Sequence, residues 1–557
     1  MKFKSEQTYD KLRGGYYTPA PVARFLSRWA LADNPKSLLE PSCGDGAFFR
    51  AAEELGLVPG VVHGVELDPY EAEKAQAALG SGDTQKRVFA TDFLQFAEDG
   101  QDEYDAVLGN PPYIRYQFLS AATQHLAKVL YNRNGLPFTK HLNAWAPFVV
   151  ESLDRLTPGG RLAMVIPAEL MNVIHAGGLR KFLLEVCSRV LLIDTQALIF
   201  DEALQGTVLL MAQKRPDGCD GPAKLAIRHE IGTDFLERDP NTIFDSAEYV
   251  ARRASADKWM NSLLTAEEQA VLDRATSLPA FHLFGEIAKV GVGIVTGANN
   301  FFLVPDHVVE EFGLHQFVKP MFGRSFHVRG VIYSQVVHDA NKGSGVAANF
   351  LHFGNVPFAD LPAGARRYIQ KGEAEELHTR YKCRIREPWY DVPSVRFAAM
   401  SLLKRSHEVP RLIVNEMGAY TTDTAYRVDS EVDPMVLSVG WLNSVTALSA
   451  EMHGRAYGGG VLELVPSEIR SMLVPVVDVA DTDLAELDEW LIAGQSVDSI
   501  LERQDAKVLT RAGLTVEEIA VIQRARRRLM ARRLREVEAD DKVSAPAGAD
   551  KGQDVAV

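Results

Sequence analysis

The chain has 557 residues, of which 46% are hydrophobic and 24% charged. That balance excludes a mainly disordered or collagen-like chain and supplies ample apolar side chains for buried cores. Formal net charge is -14, from 60 basic and 74 acidic residues, which argues against a uniformly basic nucleic-acid binder and leaves room for a local basic face. At roughly 100–200 residues per domain, the length implies about three domains.

Cys43, Cys187, Cys219 and Cys383 are scattered without a CxxC pair, so neither a disulfide scaffold nor a cysteine metal site is expected. No metal-ligand cluster is evident. The N-terminal residues lack an apolar h-region, and no run approaches the ~18 apolar residues that span a bilayer. A soluble cytoplasmic protein is the expectation, with no membrane partner.

Residues 1–240 alternate strand-like and helical text. Apolar runs at 37–40, 61–67, 86–93, 104–110, 160–167, 190–196 and 206–213 read as short buried strands. Helical stretches fall at 20–32, 46–56, 69–79, 143–156 and 176–187. This alternation predicts βαβ units and a mostly parallel sheet. Residues 214–222 are turn-rich, and 241–279 reads as a helical linker in which Thr265 and Glu268 form a capping box. From 280 to 480 glycines, aromatics and β-branched residues mix, which predicts an α+β domain. Residues 481–535 return to helix, with a second capping box at Thr515 and Glu518, and 536–557 reads as a disordered acidic tail. Seven arginines fall within 524–535. They read first as a solvated helix face and second as a phosphate-binding one.

Asn110-Pro111-Pro112-Tyr113 follows the apolar run 106–109, at the C-terminal end of a strand, where open parallel sheets bind their ligands. The prolines stiffen the turn. The Asn110 side-chain carbonyl and the Pro111 backbone carbonyl are two acceptors suited to a planar NH2 group, and Tyr113 offers a ring for stacking on a base. Upstream, the strand ending in Glu40 runs into Pro41-Ser42-Cys43-Gly44-Asp45-Gly46 and then a helix. A glycine-rich turn of this kind lets backbone approach a cofactor, although Phe49 stands where a dinucleotide fingerprint would have glycine or alanine. Glu66 ends the next strand and is placed to hold ribose hydroxyls. Asp92-Phe93 ends the third, in position for an adenine edge and face. Acids at three successive strand ends, followed by the Asn110 turn, form one constellation.

These motifs resemble the gamma-class (Taq-type) S-adenosylmethionine-dependent adenine-N6 DNA methyltransferases of restriction–modification and related defence systems. The resemblance implies a Rossmann-like class I methyltransferase domain with a mostly parallel seven-stranded sheet, followed by an α+β target-recognition domain and C-terminal helices. It assigns Thr18, in Tyr17-Thr18-Pro19, to the methionine end of S-adenosylmethionine. Glu40, Ser42, Gly44 and Gly46 fall to the cofactor loop, Glu66 and Leu67 to ribose and adenine ring, and Asp92 and Phe93 to the cofactor adenine. Asn110, Pro111, Pro112 and Tyr113 carry catalysis, with Asn110 also beside the cofactor. Phe200, in Ile199-Phe200-Asp201, would pack on the flipped adenine. Stretches 291–302, 381–384 and 457–464 resemble the specificity domains of this group, or else are hairpin turns and glycine-rich loops.

Double-stranded DNA is the implied partner, with a separate restriction endonuclease or defence partner and a monomeric chain. Residues 281–480 hold 19 basic and 21 acidic residues, so this region is near neutral within an acidic chain. Its local basic span covers Arg366, Arg367, Lys371, Arg380, Lys382, Arg384, Arg386, Arg396, Lys404, Arg405 and Arg411, interleaved with Tyr368, Tyr381, Trp389 and Tyr390. Arg380, Lys382, Arg384 and Arg386 are the expected DNA contacts. Two other readings share part of the pattern: a methyltransferase with the same turn acting on RNA guanine N2 or protein glutamine, and a non-catalytic DNA-binding subunit.

Overall fold

The computed structural model describes residues 17–80, 85–100, 102–140, 142–195 and 206–534. The alternating apolar runs form one large sheet. Its strands are β1 (Ser37–Glu40), β2 (Val61–Glu66), β3 (Lys86–Ala90), β4 (Tyr104–Gly109), β5 (Leu156–Pro167), β6 (Cys187–Thr195), β7 (Thr207–Lys214), β8 (Ala223–Glu230) and β9 (Val250–Arg252). They lie in the order β3-β2-β1-β4-β5-β7-β6-β8-β9. Strands β1 to β5 pair in parallel, and β7 inserts antiparallel between β5 and β6. The first seven strands of this order, with β7 reversed among them, form the sheet of class I methyltransferases. The run Ala106-Val107-Leu108 is apolar throughout because both faces are covered. Val107 faces the cluster under helices Trp145–Asp154 and Gly177–Val186, whereas Ala106 and Leu108 face the one under Ala20–Ala30 and Ala47–Glu54.

The sheet is wider than the seven strands expected. Strand β8 pairs in parallel with β6, and β9 closes the edge antiparallel to β8, so the sheet runs past 240 to Arg252. Its text, Ala223-Lys224-Leu225-Ala226-Ile227-Arg228-His229-Glu230, is half-buried along its second half, and charge at that end obscures the strand. Two helices, Phe93–Asp99 and Ala121–Arg133, also lie where no helix was expected.

From Phe281 onward four smaller sheets of two, five, four and three strands are threaded with short helices, in keeping with the mixed second region expected. Helices Asp481–Ile492, Val497–Gln504 and Val516–Leu534 follow. Both anticipated capping boxes form, at Thr265/Glu268 and at Thr515/Glu518. Leu448, Leu509, Ile522 and Leu529 join the same hydrophobic cluster as Val107 and Leu162, so the C-terminal helices extend the core of the large sheet. Among the described residues no helix is long and apolar enough to cross a membrane. The tail at 536–557 lies outside the described residues.

Among the described residues, most arginines of the last helix are engaged by carboxylates, and Arg524 and Arg527 remain exposed. Arg528 donates to Glu268 at 2.6 Å and to the Leu263 carbonyl at 2.9 Å. Arg527 reaches Glu502 at 2.6 Å, and buried Arg526 pairs with Asp498. Arg532 grips Asp194 with two nitrogens, Nη2 at 2.9 Å from Oδ1 and Nε against Oδ2. Arg533 is buried on Glu451. The helix is a strap whose cations meet carboxylates from distant parts of the chain.

Asp194 at the end of β6 also meets His229 Nδ1 at 3.0 Å. Burial would raise its pKa, but Arg532 and His229 overcome this and bring the carboxyl down to about 2. A carboxyl with a depressed folded-state pKa stabilises the fold fully above its unfolded value, and that contribution is lost as pH falls through the folded one. Acid titration is therefore expected to release the Arg532 contact between about pH 4 and pH 2. Comparing wild type with Arg532→Gln checks this, since the variant should lose stability at neutral pH and show a shallower decline over that window.

Candidate active site

The site is built at the carboxyl ends of β1, β2, β3 and β4. In the sheet order, β2 and β3 lie to one side of β1 and β4 to the other. The loops leaving β1 and β4 therefore diverge and open a crevice. Glu40 ends β1, Glu66 ends β2, Asp92 follows β3 and Asn110 follows β4. The four acid and amide positions expected from the sequence are thus brought to one edge.

The loop after β1 turns through two left-handed glycines, Gly44 at φ +50° and Gly46 at φ +86°. At Gly44 a Cβ would meet nothing within 4 Å, so the space over the loop is open. At Gly46 it would come within 3.0 Å of the Ala75 backbone, so close approach of helix Pro69–Leu79 adds a second demand for glycine. Phe49 accounts for the incomplete glycine pattern. Its ring is buried, and a Cβ at Gly64 would lie 2.8 Å from it. The glycine that permits close helix–strand packing sits on strand β2 instead of on the helix.

Glu66 braces this loop. One oxygen accepts the Gly44 amide at 3.0 Å and the other the Asp68 amide at 2.9 Å. Burial raises its pKa against those hydrogen bonds. Glu40 is 1% exposed, and its Oε2 has no hydrogen-bond partner among the described residues. Burial, with Asp45 and Glu66 adding to it, pushes its pKa well above the usual carboxylate range. A buried carboxylate oxygen left unsatisfied in this way is a receptor for a cation or hydrogen-bond donor.

Across the crevice, Ser42 Oγ donates to the Asn110 backbone carbonyl at 3.0 Å, tying the loop after β1 to the turn after β4. The Tyr113 hydroxyl donates to the Val165 carbonyl on β5 at 3.1 Å, which fixes where its ring sits. Beyond the turn, Ala144 N donates to the Ile114 carbonyl at 2.7 Å and Tyr116 N to the Leu142 carbonyl at 3.1 Å. Pro111 is buried, whereas Asn110, Pro112 and Tyr113 are half-buried. The turn is held on both flanks, so its carbonyls point in fixed directions.

The remaining expected residues divide. Leu67, next to Glu66, is 69% exposed. Thr18 is buried beside the exposed Tyr17. Asp92 is engaged locally: Oδ1 accepts the Leu94 and Gln95 amides as a helix N-cap, and Oδ2 accepts Thr123 Oγ1 at 2.9 Å. Sequence reasoning missed Thr123, whose helix it did not foresee. Phe93 is buried against Phe148, ring centroids 5.0 Å apart. Phe200 lies outside the described residues.

The basic span of the second region also divides. Arg386 donates to the Val295 and Thr296 carbonyls at 2.7 and 2.8 Å, and Arg411 to the Gly330 carbonyl at 2.7 Å. Lys404 and Arg405 share Glu463, and Tyr368 and Tyr390 are buried. These residues serve the fold. Arg380, Lys382 and Arg384 are exposed, with Lys382 and Arg384 flanking the Tyr381 ring. Stretches 291–302 and 381–384 meet at Gly297, where a Cβ would lie 2.8 Å from Lys382. Residues 455–463 form a tight hairpin.

This sheet and its crevice define a class I methyltransferase domain. The family model of the Eco57I restriction-modification methylase matches residues 67–200, and that of the C-terminal domain of type II methyltransferase M.Eco57I matches residues 256–509. Type II methyltransferase M.AccI of Acinetobacter calcoaceticus is 22% identical over 496 residues, spanning 86% of this chain and 87% of that protein. M.XamI of Xanthomonas campestris pv. amaranthicola is 23% identical over 480 residues, spanning 84% and 85%. M.TthHB8I of Thermus thermophilus is 32% identical over 177 residues, 30% of this chain and 38% of that protein. The chain is a methyltransferase of the restriction–modification type.

Proposed function

We propose that the chain methylates N6 of an adenine rotated out of duplex DNA, using S-adenosylmethionine. The observation that carries this reading is the Asn110-Pro111-Pro112-Tyr113 turn, bridged through Ser42 to the glycine loop at the sheet's divergence point. A similarity to type II methyltransferases that runs through the second region supports DNA over the RNA and glutamine readings, and the complete set Glu40, Glu66 and Asn110 supports catalysis over a bare binding role.

The residues present fit the cofactor. Glu40 offers a buried, unsatisfied oxygen to an ammonium group, the open space at Gly44 leaves room for a methionine moiety, and exposed Leu67 offers an apolar face to an adenine ring. When bound, the cofactor supplies an electrophilic methyl on a sulfonium centre. Glu66, beside Gly44, is placed for ribose hydroxyls. Thr18 is assigned to the methionine end. Asp92, with Phe93, is assigned the cofactor adenine, for which the N-cap and Thr123 leave one Oδ2 lone pair.

The chain's own part is to grip and orient the target amine. An adenine inside a duplex hides N6, and rotating it out costs a few kcal/mol. Stacking on Tyr113 offsets about 1–3 kcal/mol of that, and Phe200 is the second ring proposed. The Asn110 side-chain carbonyl and the Pro111 carbonyl accept the two N6 hydrogens and draw the nitrogen toward tetrahedral geometry. Positive charge grows on N6 during transfer, so fixed carbonyl dipoles favour the transition state over the ground state. Arg380, Lys382 and Arg384 extend the DNA-facing surface. A separate restriction endonuclease is the partner this reading implies.

Labelled methyl donor offered to duplex DNA, RNA and protein, followed by nucleoside analysis, tests the reading. Label in N6-methyladenine of duplex DNA is expected, and label confined to RNA or protein would overturn it. Glu40→Gln provides a separate check. Replacing a buried carboxyl whose ionisation burial disfavours should leave the apo protein as stable or more so, while the lost charge-assisted hydrogen bond weakens cofactor binding roughly 10- to 100-fold. Calorimetric titration and thermal unfolding read the two effects, which have opposite signs.

A further inference from the structure

The five-stranded sheet of the second region has an apolar face and a polar one. Strand Ala288–Val292 pairs antiparallel with Ala425–Ser430, setting Gly291 opposite Arg427 and Lys289 opposite Asp429. Tyr426, Val428 and Met400 face a buried cluster with Val290 packed on it. Because side chains alternate along a strand, Arg427 and Asp429 lie on the other face with Lys289 and Gly291. The chain at Arg396 crosses this face, and Arg427 Nη1 donates to the Arg396 carbonyl at 3.5 Å.

Here two guanidinium groups converge. A Cβ at Gly291 would lie 3.7 Å from Arg427 Nη2 and 3.8 Å from Arg396 Nη2, so the missing side chain leaves a gap walled by both. Asp429 accepts Arg396 at 3.0 Å, but among the described residues no carboxylate pairs with Arg427, and its Nε is buried without a partner. Burial and the Arg396 charge both lower the Arg427 pKa. Lys289 is exposed on the same face. Three cations therefore share one carboxylate.

We propose that Arg427 and Arg396, on either side of Gly291, form an anion-binding fork that takes a backbone phosphate of the DNA duplex. Two like charges facing one gap are relieved by an anion shared between them, and a tetrahedral oxyanion matches planar guanidinium donors. This assignment rests on the duplex-DNA reading above and adds a specific docking point to it. A phosphate contact positions the duplex without reading its sequence.

The test uses the full chain and fluorescent duplexes in a salt titration. Arg396→Gln, which alters an exposed side chain, and Arg427→Gln should each weaken binding about tenfold on cognate and non-cognate duplexes alike and lower the log–log salt slope by about one. Arg427→Lys should recover part of the binding on every sequence, because a point charge still attracts phosphate while the planar two-donor geometry is lost. Cofactor affinity should stay at the wild-type value in all three variants. Unchanged affinity and slope in Arg396→Gln and Arg427→Gln, beside a wild type that binds duplex, overturns the fork alone. A wild type that binds no duplex overturns the fork and the substrate reading together. A loss confined to cognate sequence and not rescued by lysine overturns the phosphate assignment in favour of base reading. Saturable uptake of inorganic phosphate, with duplex binding unchanged in both glutamine variants, assigns the gap to free phosphate and overturns it as well.

Discussion

Asn110→Ala is expected to keep cofactor affinity within a few-fold of wild type and to cut methyl transfer roughly 10²-fold or more, the loss typical of removing one preorganised transition-state dipole. The separation follows from which atoms the substitution removes. Ser42 donates to the main-chain carbonyl of Asn110, and alanine keeps that carbonyl, so the tie between the glycine loop and the turn survives. Pro111 and Pro112 still fix the backbone, and Tyr113 still hangs from Val165. What the substitution removes is the side-chain carboxamide, with its carbonyl acceptor and its NH2 donor. In kinetic terms kcat should fall with little change in the DNA affinity measured by direct binding, since the interaction removed is stronger in the transition state than in the ground state. Single-turnover methylation with calorimetric titration of the cofactor separates the two quantities. Near-normal turnover in this variant would remove the side-chain carbonyl from the mechanism and leave the turn as a structural corner.

The same residues show how far a sequence carries this argument. Strand tips were legible because buried parallel strands are continuous apolar runs and their ends are marked by the first acid or glycine, as at Glu40 and Glu66. Asp92 was placed at the right edge, but its capping of helix Phe93–Asp99 was not foreseen. Helix Ala121–Arg133 escaped notice because it buries few side chains and its cap, Ser120, answers to Thr123 without the acidic partner that marks a capping box. Phe49 seemed to break the glycine pattern, and only the sheet shows Gly64 making room for it. Basic side chains were the least legible. Arg386 and Arg411 look like Lys382 and Arg384 in the sequence, yet the first two satisfy backbone carbonyls. The partner that decides a cation's role is a long-range contact, and for Arg528 and Arg532 of the last helix it lies 260 and 338 positions away.

Arg533 is where that long-range pairing should matter most. Its Nε approaches Glu451 Oε1 and Oε2 at 3.1 and 2.8 Å, and Nη2 donates to Oε1 at 2.7 Å. Further donors reach the Gly460 and Glu408 carbonyls. The two side chains are 2% and 5% exposed, so neither charge is solvated. Arg533→Ala strands the Glu451 carboxylate in the core between helices Ser444–His453 and Val516–Leu534, and a broken buried pair costs about 3–5 kcal/mol. An exposed pair of the same helix, Arg524 with Glu267 at 4.0 Å, should contribute no more than about 1 kcal/mol. Denaturant midpoints for the two alanine variants measure the contrast. Charge stranding, as opposed to lost packing, is identified by the double variant Arg533→Met/Glu451→Leu, which should recover much of the loss because an apolar pair needs no counter-charge. A midpoint for Arg533→Ala equal to that of Arg524→Ala would show that the buried pair contributes nothing to holding the C-terminal strap on the second region.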